Sequence, residues 1–163
     1  MIHMKGPIKE LIFTLVALAV VALDQVSKFF IRANMTPGQS MPEEGFFRIT
    51  YVTNEGLAFG ILSNQAFLIT LTTIVGIAAI LMYARYPLFN RVLFKISLGL
   101  LLGGAVGNLI DRIRFGEVVD FIDVGAWPVF NLADSAIVVG VIIIILYLLF
   151  LARREAAVPR NDE

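Results

Sequence analysis

Residues 107–135 read GNLIDRIRFGEVVDFIDVGAWPVFNLADS and lie between two long apolar runs. This stretch carries four aspartates: Asp111, Asp120, Asp123 and Asp134. An ionised carboxylate beside a bilayer is costly, so acids placed between two apolar runs indicate a functional or paired site. We predict that Asp120 and Asp134 come together at the membrane surface and that the rest of the chain holds them there.

The composition around this stretch is typical of a membrane protein. Of 163 residues, 58% are hydrophobic and 16% are charged, with a mean hydropathy of +0.84. These values lie outside the range of soluble domains, and the length predicts a single integral membrane domain over residues 1–163. The formal net charge is +0, so nucleic acid is not expected as a partner.

The residue inventory restricts the available chemistry. The chain has no Cys, and its single His is His3, which excludes thiol nucleophiles, Ser-His triads and His-based metal sites. No metal and no organic cofactor is expected. Hydrolysis would use carboxylates or a Ser with a Lys. Ser27 and Lys28 are adjacent and do not face each other on a helix, whereas Ser135 with Lys28 is kept as an alternative.

Four apolar runs are long enough to cross a bilayer, which takes about 20 residues per helix. The predicted spans lie near residues 11–30, 66–83, 92–110 and 136–151. A cleaved signal peptide is the alternative for the first run, but the apolar residues continue beyond the small-residue site at Ala17-Leu18-Ala19. The third span carries glycines that predict close approach of a neighbouring helix: Gly99, Gly103, Gly104 and Gly107.

The segments 31–65 and 111–135 are predicted to be extracytoplasmic. Aromatic and β-branched residues from Phe46 to Val52 follow turn residues and predict a strand in a small antiparallel patch on the membrane. Residues 54–60 then predict the start of a short amphipathic surface helix. The expected fold class is therefore an all-α polytopic membrane protein with four transmembrane helices, a small β patch and a short surface helix.

The basic residues predict the orientation. Eight Lys and Arg residues lie in the N-terminus, the 84–95 turn and the C-terminus, against five in the other connections and helix ends. The positive-inside rule then places both termini in the cytoplasm and the aspartate stretch at the outer face. Trp127 and Phe130 are expected at headgroup depth, and Lys95 is expected to extend to the interface.

Asp120 and Asp134 form the sharpest candidate site. Asp120 lies in an apolar, extended-type segment, while Asp134 begins the fourth helix, where the helix dipole favours a carboxylate. If the two meet, like-charge repulsion leaves one of them protonated, which supplies one acid and one base as in aspartic proteases. Such a pair titrates as a unit, so the sequence leaves the position of the proton open. An N-cap role is the alternative for Asp134, and Asn131 can equally serve as that cap.

Polar residues inside the first span form a second candidate group. Asp24 and Lys28 lie four residues apart and share a helix face. They either form an ion pair that makes the helix end tolerable in the membrane or support the active site, with Gln25 and Ser27 adding hydrogen bonds.

The end of the third span offers a third group. Asn108 and Arg112 lie four apart, beside Asp111, and Arg112 offers donors to a carboxylate or a substrate carbonyl. Interfacial anchoring with ordinary helix capping is the alternative for these residues. Glu117 and Asp123 are predicted to be solvated loop charges.

Five sequence blocks occur in the order found in a known protein family. They are DQVSK at 24–28, NEGLAF at 54–59, GNLIDR at 107–112, VVDF at 118–121 and FNLADS at 130–135. With them the chain resembles lipoprotein signal peptidase (signal peptidase II), the bacterial inner-membrane aspartic protease family, over nearly its whole length. Each block alone is weak, whereas five in order on four spans is a specific combination.

The resemblance implies that the substrate is a prolipoprotein carrying a diacylglyceryl group on its lipobox Cys, cut just before that residue by the pair Asp120 and Asp134. It also implies supporting or substrate-contacting roles for seven positions: Asp24, Lys28, Asn54, Asn108, Asp111, Arg112 and Asn131. Membrane lipid and peptide antibiotics of the globomycin type, as inhibitors, are the other expected partners of a monomer. The connection from Val124 to Val129 is short for the family.

Two other classes of function are the alternatives. A transporter or proton-conducting protein predicts acids spread along the spans, but only Asp24 lies within a predicted span here. A structural assembly partner predicts that Asp120 and Asp134 are replaceable. For the peptidase, the segment 56–63 is predicted to close over the substrate, since lids that exclude water often move on small residues such as Gly56 and Gly60.

Overall fold

Four long helices and a small sheet make up the computed structural model, which describes residues 6–54, 65–85 and 91–156. The helices are α1 (Gly6–Asn34), α2 (Gln65–Ala84), α3 (Val92–Phe115) and α4 (Leu132–Ala156). The strands are β1 (Ser40–Met41), β2 (Arg48–Asn54) and β3 (Val118–Asp123). The predicted fold class is confirmed in its four helices and its β patch. Asn54, where the surface helix was predicted to start, is instead the last residue of β2. The rest of that predicted helix, residues 55–60, lies outside the described residues, as does the segment 56–63.

All four helices are long and apolar enough to cross a membrane. In α1, α2 and α4 few residues of the apolar window are buried within the protein, whereas half of the α3 window is buried. The other three helices pack against α3, so α3 is the centre of the bundle. Apolar side chains on the outside of α1, α2 and α4 are therefore left for lipid to cover. Each helix extends beyond its predicted span, and α3 continues to Phe115.

Glycines let α3 approach its neighbours, as predicted. A Cβ added at Gly103 would lie 2.6 Å from the Val20 Cβ of α1, and one at Gly104 would lie 2.4 Å from the Ala133 carbonyl oxygen of α4. Real Cβ atoms do not come this close, so neither backbone contact would survive a larger residue. Close helix contacts of this kind replace the hydrophobic effect as the source of association within lipid.

The sheet has the order β1-β2-β3 and is antiparallel throughout. Val52 pairs with Asp120 in this sheet, and a register irregularity lies between Ile49 and Val52. The predicted strand starts at Arg48 rather than Phe46, and β3 supplies a partner strand that the sequence suggested only as an extended segment. Tyr51, Val119 and Phe121 form the buried layer under the sheet. Because Ile31 of α1 and Leu132 of α4 pack against this layer, Asp120 is fixed close to the start of α4.

Lys95 departs from its prediction. The residue is 1% exposed and does not extend to an interface. Its ammonium group pairs with Glu10 of α1 and donates to the Ala84 carbonyl oxygen at the end of α2. Unsatisfied carbonyls at a helix C-terminus attract cations, so Lys95 joins α1, α2 and α3 at the end of the bundle opposite the sheet.

Candidate active site

The first turn of α4 is built around Asn131. The Asn131 Oδ1 accepts a hydrogen bond from the Asp134 backbone N–H at 2.9 Å, and the Asp134 Oδ2 accepts one from the Asn131 backbone N–H at 3.3 Å. This reciprocal pattern is that of a capping box, with Asn131 as the N-cap and Asp134 three residues later. Of the two alternatives left open by the sequence, Asn131 is the cap. The second Asp134 oxygen is thereby left for other partners.

Asp120 reaches the same residue from the sheet. The Asn131 Nδ2 donates to Asp120 Oδ1 at 2.6 Å, and the Asn54 Nδ2 donates to Asp120 Oδ2 at 3.0 Å. Asp120 is 3% exposed. Asn131 therefore holds both acids, one through its side chain and the other through its backbone. The structure thus brings together two residues that lie in different elements. From the sequence, they were paired only because two neighbouring carboxyl groups can supply an acid and a base.

Asn108 connects this pair to a buried cation. Its Oδ1 accepts a hydrogen bond from the Lys28 ammonium at 2.8 Å, and its Nδ2 donates to Asp134 Oδ1 at 2.8 Å. A lysine ammonium can only donate, so it requires the oxygen end of the Asn108 amide. The amide nitrogen must then face Asp134. Lys28 therefore orients a donor toward a carboxylate that it does not itself touch in the described contacts.

Lys28 lies in a fully buried charge cluster. Its Nζ is 2.8 Å from Asp24 Oδ2 and 2.9 Å from Asp111 Oδ2, and all three side chains are 0% exposed. The Arg32 Nη2 lies 3.1 Å from Asp111 Oδ1. The Asp111 contacts with Lys28 and Arg32 are ion pairs. Two carboxylates and two cations balance, which is the condition under which buried charges are tolerated.

Three further hydrogen bonds tie this charge cluster to the neighbouring helices. The Asp24 Oδ1 accepts a hydrogen bond from the Ala133 backbone N–H of α4 at 3.0 Å. The Gln25 Nε2 donates to Asp111 Oδ1 and to the Gly107 carbonyl oxygen, both at 3.1 Å. The cluster thus anchors the first turn of α4, which carries Asp134, to α1 and α3.

Arg112 is a cation whose charge acts on the paired acids. It is half-buried near the end of α3 and interacts electrostatically with Asp134, Asp120 and Asp111. A guanidinium stays charged under all ordinary conditions. Arg112 therefore supplies a fixed positive charge beside the two carboxyl groups.

The protonation of Asp120 is shifted by its surroundings. Burial raises the pKa of Asp120 to about 6, and the neighbouring charge of Asp134 adds to the rise. The hydrogen bonds from Asn54 and Asn131 act in the opposite direction, because they favour the charged form. Asp120 consequently exchanges its proton much closer to neutral pH than an ordinary aspartate does.

Asp123 is not a solvated loop charge, and that prediction was wrong. The residue is 5% exposed, and its Oδ2 accepts hydrogen bonds from Arg48 Nε at 2.9 Å and from Thr50 Oγ1 at 2.8 Å. The Gly125 backbone N–H donates to its Oδ1 at 2.8 Å. The Gly125, Thr50 and Arg48 donors hold the pKa of Asp123 below its usual value. The acid therefore joins β2 to the turn after β3 and does not reach the paired site.

Arg32 is the residue of the charge cluster that sequence reasoning missed. Its spacing of four from Lys28 places it on the same face of α1, and this spacing was the available signal. The Ser135–Lys28 alternative is disfavoured by geometry. The Ser135 hydroxyl donates to the Asn131 carbonyl oxygen at 2.9 Å, while the Lys28 ammonium is surrounded by Asp24, Asp111 and Asn108.

An apolar pocket of about 440 Å³ opens beside Asp134. Its lining combines the turn after β3 with one face of α4: Trp127, Phe130, Asp134, Ser135, Val138 and Val139. Val138 and Val139 are exposed on a helix that is apolar enough to span a membrane. The pocket therefore connects a carboxyl group to the surface that lipid would cover.

These features define a multi-pass membrane protein with a paired-carboxylate site where a helix bundle meets a small sheet. The family model for signal peptidase (SPase) II matches residues 16–150, and the chain belongs to that family. It is therefore a signal peptidase and an enzyme of the aspartic protease class. The transporter or proton-conducting alternative is not favoured.

Individual relatives agree with the family. The chain is 51% identical over 148 residues to a lipoprotein signal peptidase of Moorella thermoacetica, covering 90% of this chain and 99% of the relative. It is 47% identical over 135 residues to a lipoprotein signal peptidase of Halothermothrix orenii, covering 82% and 92%.

Two solved structures of bacterial membrane enzymes, both determined by the in meso method, share the fold. One superposes with a TM-score of 0.77 at 36% identity and 93% coverage of both chains. The other has a TM-score of 0.78 at 39% identity, with 84% of this chain and 92% of that chain covered.

Proposed function

We propose that Asp120 and Asp134 are the catalytic pair of this peptidase and that they share one proton. The observation that carries the proposal is the position of Asn131, which hydrogen-bonds Asp120 at 2.6 Å and Asp134 at 3.3 Å. The structure places Asp120 in β3 and Asp134 in α4, so their common partner requires the full fold. Two carboxyl groups held this way supply an acid and a base from identical side chains.

The substrates of this enzyme are prolipoproteins, from which it removes the signal peptide. We further infer that the substrate carries a diacylglyceryl group on its Cys and is cut just before that residue. The apolar pocket beside Asp134 supports this inference, because a lipidated substrate is confined to the membrane and must enter sideways. An apolar opening that touches a candidate catalytic carboxyl group meets that requirement.

The reaction follows from the protonation of the pair. Asp120 is the acid of the pair in this proposal, because it is the more buried of the two carboxyl groups and burial raises its pKa to about 6. Asp134 acts as the base and takes a proton from a water molecule, and the resulting hydroxide attacks the scissile carbonyl carbon while Asp120 protonates the carbonyl oxygen. As the tetrahedral intermediate collapses, Asp134 gives its proton to the departing amine nitrogen, and Asp120 regains a proton from a hydroxyl group of the intermediate as the carbonyl re-forms. The peptide C–N bond breaks, and one water is consumed.

The remaining polar residues position this pair. Asn108 presents its amide nitrogen to Asp134 because Lys28 occupies its oxygen, and Asp24 and Asp111 balance the Lys28 charge. Asn54 donates to Asp120 from β2. Arg112 adds a fixed positive charge that interacts electrostatically with both carboxyl groups.

We also propose a location for the enzyme. The excess of basic residues at the termini and the 84–95 turn, eight against five, supports cytoplasmic termini and a site at the outer face of the bacterial inner membrane. Residues 1–163 then form one membrane domain that works as a monomer, with 31–65 and 111–135 outside the cytoplasm. Membrane lipid surrounds the enzyme, and peptide antibiotics of the globomycin type are expected to inhibit it.

The test is cleavage of a diacylated prolipoprotein in detergent by the wild type, Asp120→Asn and Asp134→Asn. Each substitution removes the acid or the base, and we expect turnover to fall by at least about 10³-fold. Glu117→Gln is the matched control, because it neutralises an acid between α3 and β3 that has no contact with the pair in the described residues. Turnover within a few-fold of wild type in either aspartate variant, with intact folding by circular dichroism, would remove that residue from the pair.

A further inference from the structure

Two arginines converge on one aromatic ring at the sheet end of the bundle. The Arg32 guanidinium carbon lies 4.0 Å from the centroid of the Phe115 ring, and that of Arg114 lies 5.1 Å from the same centroid. Arg32 belongs to α1, and Arg114 and Phe115 belong to the last turn of α3. A guanidinium is attracted to an aromatic ring, and two positive charges near the same ring favour the binding of an anion beside them.

Only part of this positive charge is balanced by protein. Arg32 pairs through Nη2 with Asp111, which leaves the other N–H donors of its fork unused by that carboxylate. Arg114 is exposed, and no carboxylate of the described ranges forms an ion pair with it. The cluster of Arg32, Arg114 and Phe115 therefore carries one net positive charge that the described residues leave uncompensated.

The surface beside this cluster suits an acyl chain. Phe29 lies three residues before Arg32, so it lies one turn further into α1 on the same face. It is 63% exposed, and Phe115 is 46% exposed. The apolar surface lies towards the middle of the spanning helices, and the guanidinium groups lie where these helices end. This arrangement matches the acyl chain and the phosphate headgroup of a phospholipid.

We propose that Arg32, Arg114 and Phe115 form a binding site for an anionic phospholipid, with its phosphate between the two guanidinium groups and an acyl chain along Phe29. Arginine forks match phosphate oxygens in geometry and bind them through charge-assisted hydrogen bonds. A zwitterionic headgroup brings an ammonium that the second arginine repels. A free phosphate lacks the chain that the apolar surface would hold. The occupant is therefore a lipid of the phosphatidylglycerol type.

This proposal does not depend on the catalytic assignment. Within the described ranges, Asp111 links the arginine cluster to the buried charges around Lys28. The test measures lipid binding in the absence of substrate. A negative result would therefore count against the lipid site and not against the catalytic pair.

The experiment is native mass spectrometry of the full-length protein released from nanodiscs that contain equal amounts of phosphatidylglycerol and phosphatidylcholine. We expect the wild type to retain phosphatidylglycerol preferentially, and Arg114→Gln to reduce that preference about fivefold, the effect of one basic contact at a membrane surface. Phe115→Leu, which keeps both charges, should lower it less. Melting temperatures of the variants verify that they are folded.

Arg154→Gln is the matched control. Its guanidinium carbon lies 5.3 Å from the Phe150 ring centroid at the other end of the bundle, so it removes an arginine stacked on a phenylalanine without touching the proposed site. We expect it to retain the wild-type preference. Equal retention of the two lipids by the wild type would overturn the proposal, as would an unchanged preference in Arg114→Gln. Displacement of the lipid by millimolar inorganic phosphate would also contradict it, since that result indicates an anion site without a lipid.

Discussion

Two buried lysines lie at opposite ends of this helix bundle, and they differ in what surrounds them. Lys28 contacts Asp24, Asp111 and Asn108, all of them buried. Lys95 contacts the backbone of Ala84 and a Glu10 side chain that is 54% exposed. Both lysines join helices. Only Lys28 also orients a group that touches a candidate catalytic acid, so the comparison separates charges that hold a fold from charges that also arrange a site.

The largest effect is expected from Lys28→Met, which keeps the length of the side chain and removes its charge. Arg32 balances only one of the two carboxylates of Asp24 and Asp111, so one buried charge is left unpaired. We expect unfolding to become easier by about 3–5 kcal/mol. Asn108 also loses the contact that fixes its amide, so turnover per folded molecule should fall. Thermal unfolding in detergent measures the first effect, and cleavage rates well below the melting temperature measure the second.

An unchanged melting temperature for this variant would show that the Lys28 charge does not stabilise the fold. Loss of turnover with normal stability would assign Lys28 a direct part in the reaction instead.

The second effect is the pH dependence of stability that Asp120 contributes. Its folded pKa of about 6 lies above the ordinary value of 3.8, so its contribution is fully present below pH 3.8 and is lost as the pH rises through 6. The difference corresponds to roughly 3 kcal/mol at most. We therefore expect Asp120→Asn to gain stability relative to the wild type between pH 4.5 and 7.5. If the free energy of unfolding changed with pH in the same way for the two proteins across that range, the raised pKa of Asp120 would be contradicted.

The sequence predicted the helices and the acidic residues of this site better than the contacts between distant elements. Helix spans follow from apolar run lengths, and the acids at their ends are conspicuous because lipid makes charge costly. Asp123 was misjudged because its partners, Arg48 and Thr50, lie some 70 residues away on β2. Lys95 was misjudged for the same reason, since its partners are on α1 and α2. Spacing along a helix shows which residues are neighbours within that helix, but not which distant element contacts and buries a charged side chain.

The third effect concerns the packing that holds α4 against α3. A Cβ at Gly104 would lie 2.4 Å from the Ala133 carbonyl oxygen, within the turn that carries Asp134. We expect Gly104→Ala to destabilise the protein by about 1–3 kcal/mol and to lower turnover by shifting that turn. Gly76→Ala in α2 is the control, because nothing lies within 4 Å of a Cβ there. Equal turnover in the two variants would show that α4 tolerates displacement without disturbing the site.

The smallest effect is expected from Lys95→Met, which completes the comparison with Lys28→Met. Removing the Lys95 charge leaves Glu10, which is already half in water, and one helix-terminal carbonyl without its donor. Because water can solvate the carboxylate, the loss should be about 1–2 kcal/mol. Turnover per folded molecule should equal that of the wild type, since the nearest elements of the site lie at the other end of α3. If Lys95→Met lowered turnover as strongly as Lys28→Met at matched folded fraction, both lysines would act through bundle rigidity. The orientation of Asn108 by Lys28 would then carry no special weight in catalysis.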